Sequence, residues 1–150
     1  MDEKIKAEIV QYANEFRTAV ETAQKHNEFS EFNPLANFPF GCCGIASELL
    51  AAYLLERGIK STVGFGWSIE PNSSSHAWLI VDGVIVDITG DQFNDDANYN
   101  VQNPRVYVGG MDYFHELFQV YDYKVQEFVD FINKEDIFSY NKVKKYLKRV

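Results

Sequence analysis

The chain has 150 residues, of which 46% are hydrophobic and 15% aromatic, so it can bury one proper core and a disordered chain is excluded. Its 14 Lys and Arg residues against 22 Asp and Glu residues give a formal charge of -8, which disfavours nucleic acids and anionic membranes as partners. We therefore expect a single domain over residues 1–150.

The N-terminal third predicts two helices separated by a loop. Asp2 can cap the first helix, whose apolar residues recur at helical spacing: Ile5, Ile9, Tyr12, Phe16 and Val20. Residues 27–41 contain two prolines and are expected to form a loop. A second helix is predicted from Cys43 to Gly58, because glycine favours the left-handed backbone that ends helices.

The clearest pattern in the chain is a hairpin over residues 76–89, which follows a strand predicted at 61–67. Asp82 and Gly83 are typical of a two-residue turn between antiparallel strands. Counting outward from that turn gives one entirely apolar face, which we expect to lie on the core: Ala77, Leu79, Val81, Val84, Val86 and Ile88.

The other face of the hairpin carries His76, Trp78 and Asp87. Asp87 is the diagonal cross-strand neighbour of His76, within side-chain reach. A carboxylate there can accept a proton from one imidazole nitrogen and favour the cation. The alternative is an isolated surface histidine. Since this face also holds Trp78 and two isoleucines, we expect another element to cover it, and the helix from Cys43 is the natural candidate.

The second half of the chain is less regular. The polar stretch at residues 90–104 is predicted to lie outside the core. It is either a solvated connector or, with residues 71–75, the rim of a substrate cleft. A short strand is predicted at 106–108 and two helices from about Tyr113 onward. The basic run at 142–149 is typical of the last turns of a helix.

The two cysteines, Cys42 and Cys43, are adjacent and have no other cysteine to pair with, which indicates free thiols in a reducing compartment. A thiol at a helix N-terminus has a lowered pKa and is partly thiolate. With His76 as base and Asp87 as orienting carboxylate, this arrangement suits covalent acyl-transfer catalysis. The alternative is two small buried apolar residues.

These motifs occur in a familiar order: Gly-x-Cys at a helix start, an aliphatic helix ending in Gly-Ile, His-Ala-Trp on a strand, and Asp-x-Thr on the next strand. Over residues 40–93 the chain resembles the core of the transglutaminase-like superfamily, relatives of papain-fold cysteine enzymes, and small bacterial proteins of that type. The resemblance implies an α+β fold in which Cys43, His76 and Asp87 are catalytic. Cys42 is one residue out of register with the family cysteine.

The resemblance implies no cofactor and no metal, and a peptide, a protein side chain or a small amide as substrate. The sequence differs from the family pattern after Gly-Ile and after Asp87, and these differences leave the substrate class open. The papain-type glutamine upstream of the cysteine is missing, and the backbone amide of Cys43 is the first candidate for the oxyanion donor. Further candidates for substrate contacts are Trp67, Trp78, Gln92 and Asn37, with Asn33 as another polar group near the helix start.

Two other classes of function remain open. One is a binding or regulatory module that keeps the fold without catalysis. The other is a metal site using Cys42, Cys43, His76 and an acid, although metal-binding cysteines usually have two or more residues between them. The N-terminus has no signal pattern and no apolar stretch reaches membrane-spanning length, so we expect a cytoplasmic protein. The oligomeric state is not predicted.

Overall fold

The computed structural model describes residues 1–68, 70, 74–118, 124–127 and 134–147. Over these residues the chain forms an α+β fold, as expected. The helices and strands are α1 Glu3–Lys25, α2 Cys43–Leu55, β1 Thr62–Ser68, β2 Ser74–Val81, β3 Val84–Asp87, β4 Tyr107–Gly109, α3 Tyr113–Glu116, β5 Lys124–Glu127 and α4 Lys134–Lys144, with 3-10 turns at Pro34–Asn37 and Gly90–Phe93. The strands form one antiparallel sheet in the order β4-β3-β2-β1-β5.

Helices α1 and α2 begin where the sequence predicts. The Asp2 side chain accepts a 2.7 Å hydrogen bond from the Lys4 backbone N–H and so caps α1. Ile5 is 41% exposed, and the buried face of α1 begins at Ile9. After α2 the chain turns at Gly58 with a φ of +76°, a conformation that glycine adopts without strain. Both predicted helices are confirmed.

The predicted hairpin register is also confirmed. Val81 pairs with Val84 and Leu79 with Val86. The turn residues Asp82 and Gly83 both have positive φ values, 48° and 78°, as a type I′ turn requires. The register places His76, Trp78 and Ile85 on one face of the sheet, and Leu79, Val81, Val86 and Ile88 on the other.

The sheet separates two clusters of buried side chains. On one face, α1, α2 and α4 pack against the apolar side of the hairpin, and this main core includes Phe16, Leu50 and Leu79. On the other face lies an aromatic cluster: Trp78, Ile85, Phe93, Tyr99, Phe114 and Phe118. The prediction that α2 covers the His76 face is wrong, because residues 93–118 supply the aromatic side chains of that cluster.

The C-terminal part differs from the two predicted helices. Residues 113–118 contain only the four-residue helix α3, and β5 then pairs with β1 at the sheet edge. The second predicted helix corresponds to α4. Lys144 and Lys145 of the basic run pair with Glu56 and Glu28, which agrees with a solvated helix end, while residues 148–150 lie outside the described residues. Among the described helices, none combines the length and apolar composition needed to span a bilayer.

Candidate active site

The two adjacent cysteines lie in different environments. Cys42 is 2% exposed, and burial together with the neighbouring Cys43 raises its pKa to about 12. Cys43 is the first residue of α2 and is half-buried. Burial opposes ionisation of Cys43 as well, but His76 and the backbone amide of Ala77 lower the pKa of its thiol below the ordinary value. Cys43 is therefore the more easily ionised thiol.

His76 and Asp87 form a buried ion pair across the hairpin. Nε2 of His76 lies 2.7 Å from Oδ2 of Asp87, and the exposed fractions of the two side chains are 0% and 1%. Burial disfavours an imidazolium, but the Asp87 carboxylate outweighs it and raises the pKa of His76 to about 10. The same pair holds the pKa of Asp87 far below its usual range, against the effect of burial.

The second nitrogen of His76, Nδ1, is the one left for the thiol. Among the described residues it has no hydrogen-bond partner of ordinary geometry, although it is fully buried. Cys43 nevertheless raises the pKa of His76 through hydrogen bonding and charge, and His76 lowers the pKa of Cys43 by the same two effects. Thiol and imidazole are therefore electrostatic neighbours that stabilise each other's charged forms.

The Asp87 carboxylate is held by three hydrogen bonds. Oδ1 accepts from the backbone N–H of Thr89 at 3.0 Å, and Oδ2 faces Nε2 of both His76 and His115 at 2.7 Å. Gly90 lies directly against the carboxylate. The orientation of Asp87 is thus fixed by its surroundings.

His115 is a member of this network that the sequence interpretation missed. It lies in α3, and its Nδ1 is 2.6 Å from Oδ1 of Asp112, the residue that caps the helix. The Asp-x-x-His spacing of residues 112–115 is a local sequence signal for the contact between His115 and Asp112. The contact with Asp87 joins residues 28 positions apart, and nothing in the sequence indicates it.

Aromatic rings surround the His76 imidazole. The ring centroids of Trp78, Phe93, Phe114 and Phe118 lie 5.1 to 5.7 Å from that of His76. They exclude water from the side of the ring opposite the main core. Such a low-dielectric surrounding strengthens the interaction between His76 and the carboxylate.

The four predicted substrate-contact residues lie in different environments. Trp67 is 45% exposed, whereas Trp78 is fully buried behind His76 and cannot contact a substrate there. Asn37 is exposed, on the 3-10 turn before the cysteines. Gln92 accepts a 3.4 Å hydrogen bond from the Gly41 N–H, while its Nε2 is buried without a partner among the described residues.

Asn33 has a structural role instead. Its side chain accepts from the Leu35 N–H at 2.9 Å and so caps the 3-10 turn. It also donates to the hydroxyl of Ser139 in α4 at 2.9 Å. Asn33 therefore joins the loop to the C-terminal helix.

The polar stretch at 90–104 is not the purely external connector that its composition predicts. Phe93 and Tyr99 are 7% and 4% exposed and belong to the aromatic cluster. Asn94 and Asn103 bridge the stretch with two hydrogen bonds of 2.7 and 2.8 Å. A few aromatic anchors thus tie a polar segment to the core. The second segment of the predicted cleft rim is residues 71–75, of which 71–73 lie outside the described residues.

A buried arginine supports the site from α1. Arg17 is 4% exposed and forms a bidentate pair with Asp91, both contacts at 2.7 Å. It also donates to the backbone carbonyls of Ile88 and Arg105 at 2.9 and 2.7 Å. Arg17 therefore fixes the segment that follows Asp87. The sequence interpretation missed it, although its spacing places it on the buried face of α1.

The ligand atoms of His76, Asp87 and His115 all lie within 4.8 Å of one another, a spacing that a divalent cation could bridge. Both imidazoles, however, lie 2.7 Å from the same carboxylate oxygen, which is the distance of a charge-assisted hydrogen bond. The group is therefore a network of hydrogen bonds around the Asp87 carboxylate. It differs from the metal site considered from the sequence, since His115 takes part in place of the cysteines.

Comparison of the chain with protein-family models, with curated proteins and with solved structures gives no significant match.

Proposed function

We propose that the chain is a cysteine-dependent acyl-transfer enzyme with a papain-like or transglutaminase-like core, in which Cys43, His76 and Asp87 form the triad. The observation that carries the proposal is the arrangement around His76. One ring nitrogen is held 2.7 Å from Asp87, and the other is left for a half-buried thiol whose pKa is lowered.

Each residue has a distinct task in the proposed reaction. The Cys43 thiolate attacks the carbonyl carbon of an amide and forms a C–S bond. As the C–N bond breaks, His76 gives its proton to the departing amine, which leaves a thioester on Cys43. Water then attacks the thioester, giving one proton to His76, and the C–S bond breaks, which releases the carboxylic acid and restores the Cys43 thiolate beside the protonated His76. Asp87 keeps His76 oriented and stabilises its cation throughout.

The negative charge that develops on the carbonyl oxygen needs hydrogen-bond donors. The backbone N–H of Cys43, at the start of α2, is the first. Nε2 of Gln92 is the second candidate, because its carbonyl oxygen is tied to Gly41, two residues before Cys43, and its own donor has no partner among the described residues. Both donors belong to segments that meet at the start of α2.

Amide hydrolysis, of the peptidase or deamidase type, is the favoured reaction, and an amine in place of water would give acyl transfer. The substrate is a peptide, a protein side chain or a small amide. The alternative is an inactive module with the same fold. That alternative predicts a Cys43 thiol that is never acylated.

An activated acyl ester, p-nitrophenyl acetate, tests the proposal. We expect the protein to gain one acetyl group on Cys43, detected by peptide mass spectrometry, and to release nitrophenol in a burst followed by turnover. Cys43→Ala should abolish both signals, and the matched control Cys42→Ala should retain them. Acylation of Cys42, or equal reaction in both variants, would contradict the proposal and favour the inactive module.

A further inference from the structure

His115 bridges two carboxylates. Its Nε2 lies 2.7 Å from Oδ2 of Asp87, and its Nδ1 lies 2.6 Å from Oδ1 of Asp112. The backbone N–H of His115 donates to the same Asp112 oxygen at 2.9 Å. The ring is therefore fixed at both nitrogens by groups from two different parts of the chain.

This geometry gives each ring nitrogen of His115 a carboxyl partner. The pKa of Asp87 lies far below its usual range, so its carboxylate only accepts hydrogen bonds, and Nε2 of His115 donates to Oδ2. A hydrogen bond to an ionised carboxylate is stronger than one between neutral groups, so this contact holds Oδ2 firmly.

Packing leaves the His115 ring little freedom to turn. Its centroid is 4.8 Å from Trp78, 4.9 Å from Phe114 and 5.3 Å from Tyr107, and the side chain is 2% exposed. A rigid donor at Oδ2 prevents the Asp87 carboxylate from rotating away from His76. Removing that donor would leave a buried carboxylate oxygen with one partner fewer, which favours such a rotation.

We propose that His115, held by Asp112, is a positioning residue of the thiol site, which fixes the Asp87 carboxylate in the orientation that directs His76 toward Cys43. This inference rests on the proposed function, because it assigns His115 a role in activating the nucleophile. It adds a fourth residue and an outer carboxylate to the triad. The titratable groups along this path are Cys43, His76, Asp87, Asp112 and the neighbouring Tyr107.

Two substitutions of His115 separate hydrogen bonding from packing. His115→Phe keeps a ring but has no donor, and His115→Gln keeps a donor near the Nε2 position without a ring. We expect alkylation of Cys43 by iodoacetamide at pH 7 to slow about tenfold in His115→Phe, as a rise of one unit in the thiol pKa would give. The midpoint of its pH profile should rise accordingly. His115→Gln should recover most of the rate and of the midpoint.

A merely structural role gives a different result. In that case both variants melt at lower temperature while the pH midpoint of Cys43 alkylation stays at the parent value, which would overturn the inference. If His115→Phe does not fold, Asp112→Asn decides, because asparagine still caps α3 while the ring loses its outer charge. A midpoint raised above the parent value supports the inference, and an unchanged midpoint overturns it.

Failure of this inference can be told apart from failure of the proposed function. If the parent protein forms no acetyl-Cys43 with the activated ester, the proposed function fails. If the parent is acetylated while the His115 and Asp112 variants keep its alkylation profile, only the positioning role fails. Zinc added to the parent protein is a further control, since a native metal site would bind it stoichiometrically and so contradict the hydrogen-bonded network.

Discussion

Gly90 lies against the Asp87 carboxylate so closely that a Cβ at position 90 would be 2.9 Å from Oδ2 and 3.4 Å from Cγ of Asp87. Gly90→Ala should therefore displace the carboxylate that holds His76. We expect alkylation of Cys43 at pH 7 to slow about tenfold, the effect of one pKa unit. Gly110→Ala is the matched control, because nothing lies within 4 Å of its Cβ. Equal rates in the two variants would mean that Asp87 tolerates the displacement.

The two thiols should differ in their pH profiles. The pKa of Cys43 lies below the ordinary thiol value, so its thiolate disappears only when the pH falls through that lowered value. Cys42, with a pKa of about 12, stays protonated. We expect peptide mass mapping after brief iodoacetamide treatment at pH 7 to find Cys43 labelled at least about tenfold more than Cys42. Preferential labelling of Cys42 would reverse the assignment of the nucleophile.

The His76–Asp87 pair also makes stability depend on pH. The pKa of Asp87 is depressed, so its contribution is complete above about pH 4 and is lost as the pH falls toward its folded value. The pKa of His76 is raised to about 10, so its contribution is complete below about pH 6.5 and is lost as the pH rises through 10. The free energy of unfolding should therefore be greatest between about pH 4 and 6.5.

Thermal melts in a Cys43→Ala background measure this dependence, because that substitution removes the opposing contribution of a thiolate. Asp87→Asn in the same background is the control, and it should flatten the decline on the alkaline side. A melting temperature that is constant from pH 6.5 to 9 in the Cys43→Ala protein would show that the pair adds no stability.

Arg17 should be essential for stability rather than for reactivity. Replacing it by methionine leaves Asp91 and two backbone carbonyls without their donor, and breaking such a buried pair costs about 3 kcal/mol. Arg17→Lys keeps the charge but not the bidentate geometry, so it should lower the free energy of unfolding by part of that amount. Urea unfolding measures both losses. A lysine variant as stable as the parent would mean that charge alone suffices.

Gln92 should affect turnover but not the thiol itself. If its Nε2 stabilises the oxyanion, Gln92→Ala lowers the rate of acyl-ester turnover by about 10²-fold. The pH midpoint of Cys43 alkylation should stay unchanged, because alkylation forms no oxyanion. Gln11→Ala is the control, because it removes a glutamine side chain from an exposed position of α1. Unchanged turnover in Gln92→Ala would leave the backbone amide of Cys43 as the donor.

Local patterns account for the parts of the fold that were predicted. The Asp82–Gly83 turn fixes the hairpin register, and a period of two then places His76 and Asp87 on one face, where they meet at 2.7 Å. The start of α2 at Cys43 follows from the apolar run behind it. Each of these features depends on residues that are close in the sequence.

Features that depend on distant residues were missed. β5 is short and has no apolar alternation, and only its pairing with β1 makes it a strand. His115 meets Asp87 across 28 residues, and Arg17 meets Asp91 across 74. The polar composition of the segment that carries Phe93 predicted that it lies outside the core. Composition does not reveal that its aromatic side chains are buried in the aromatic cluster.

The site combines a contact between residues close in the sequence with contacts between distant ones, which predicts the order in which its parts form during folding. His76 and Asp87 are 11 residues apart on one hairpin, which can form on the microsecond timescale. The contact of His115 with Asp87 and the aromatic cluster can form only when residues 113–118 dock on the sheet. This docking closes a longer loop and is expected to be slower. A refolding chain should therefore start with two thiols of ordinary pKa and end with the pKa of Cys43 lowered and that of Cys42 raised. Short alkylation pulses during refolding would time the docking of that segment.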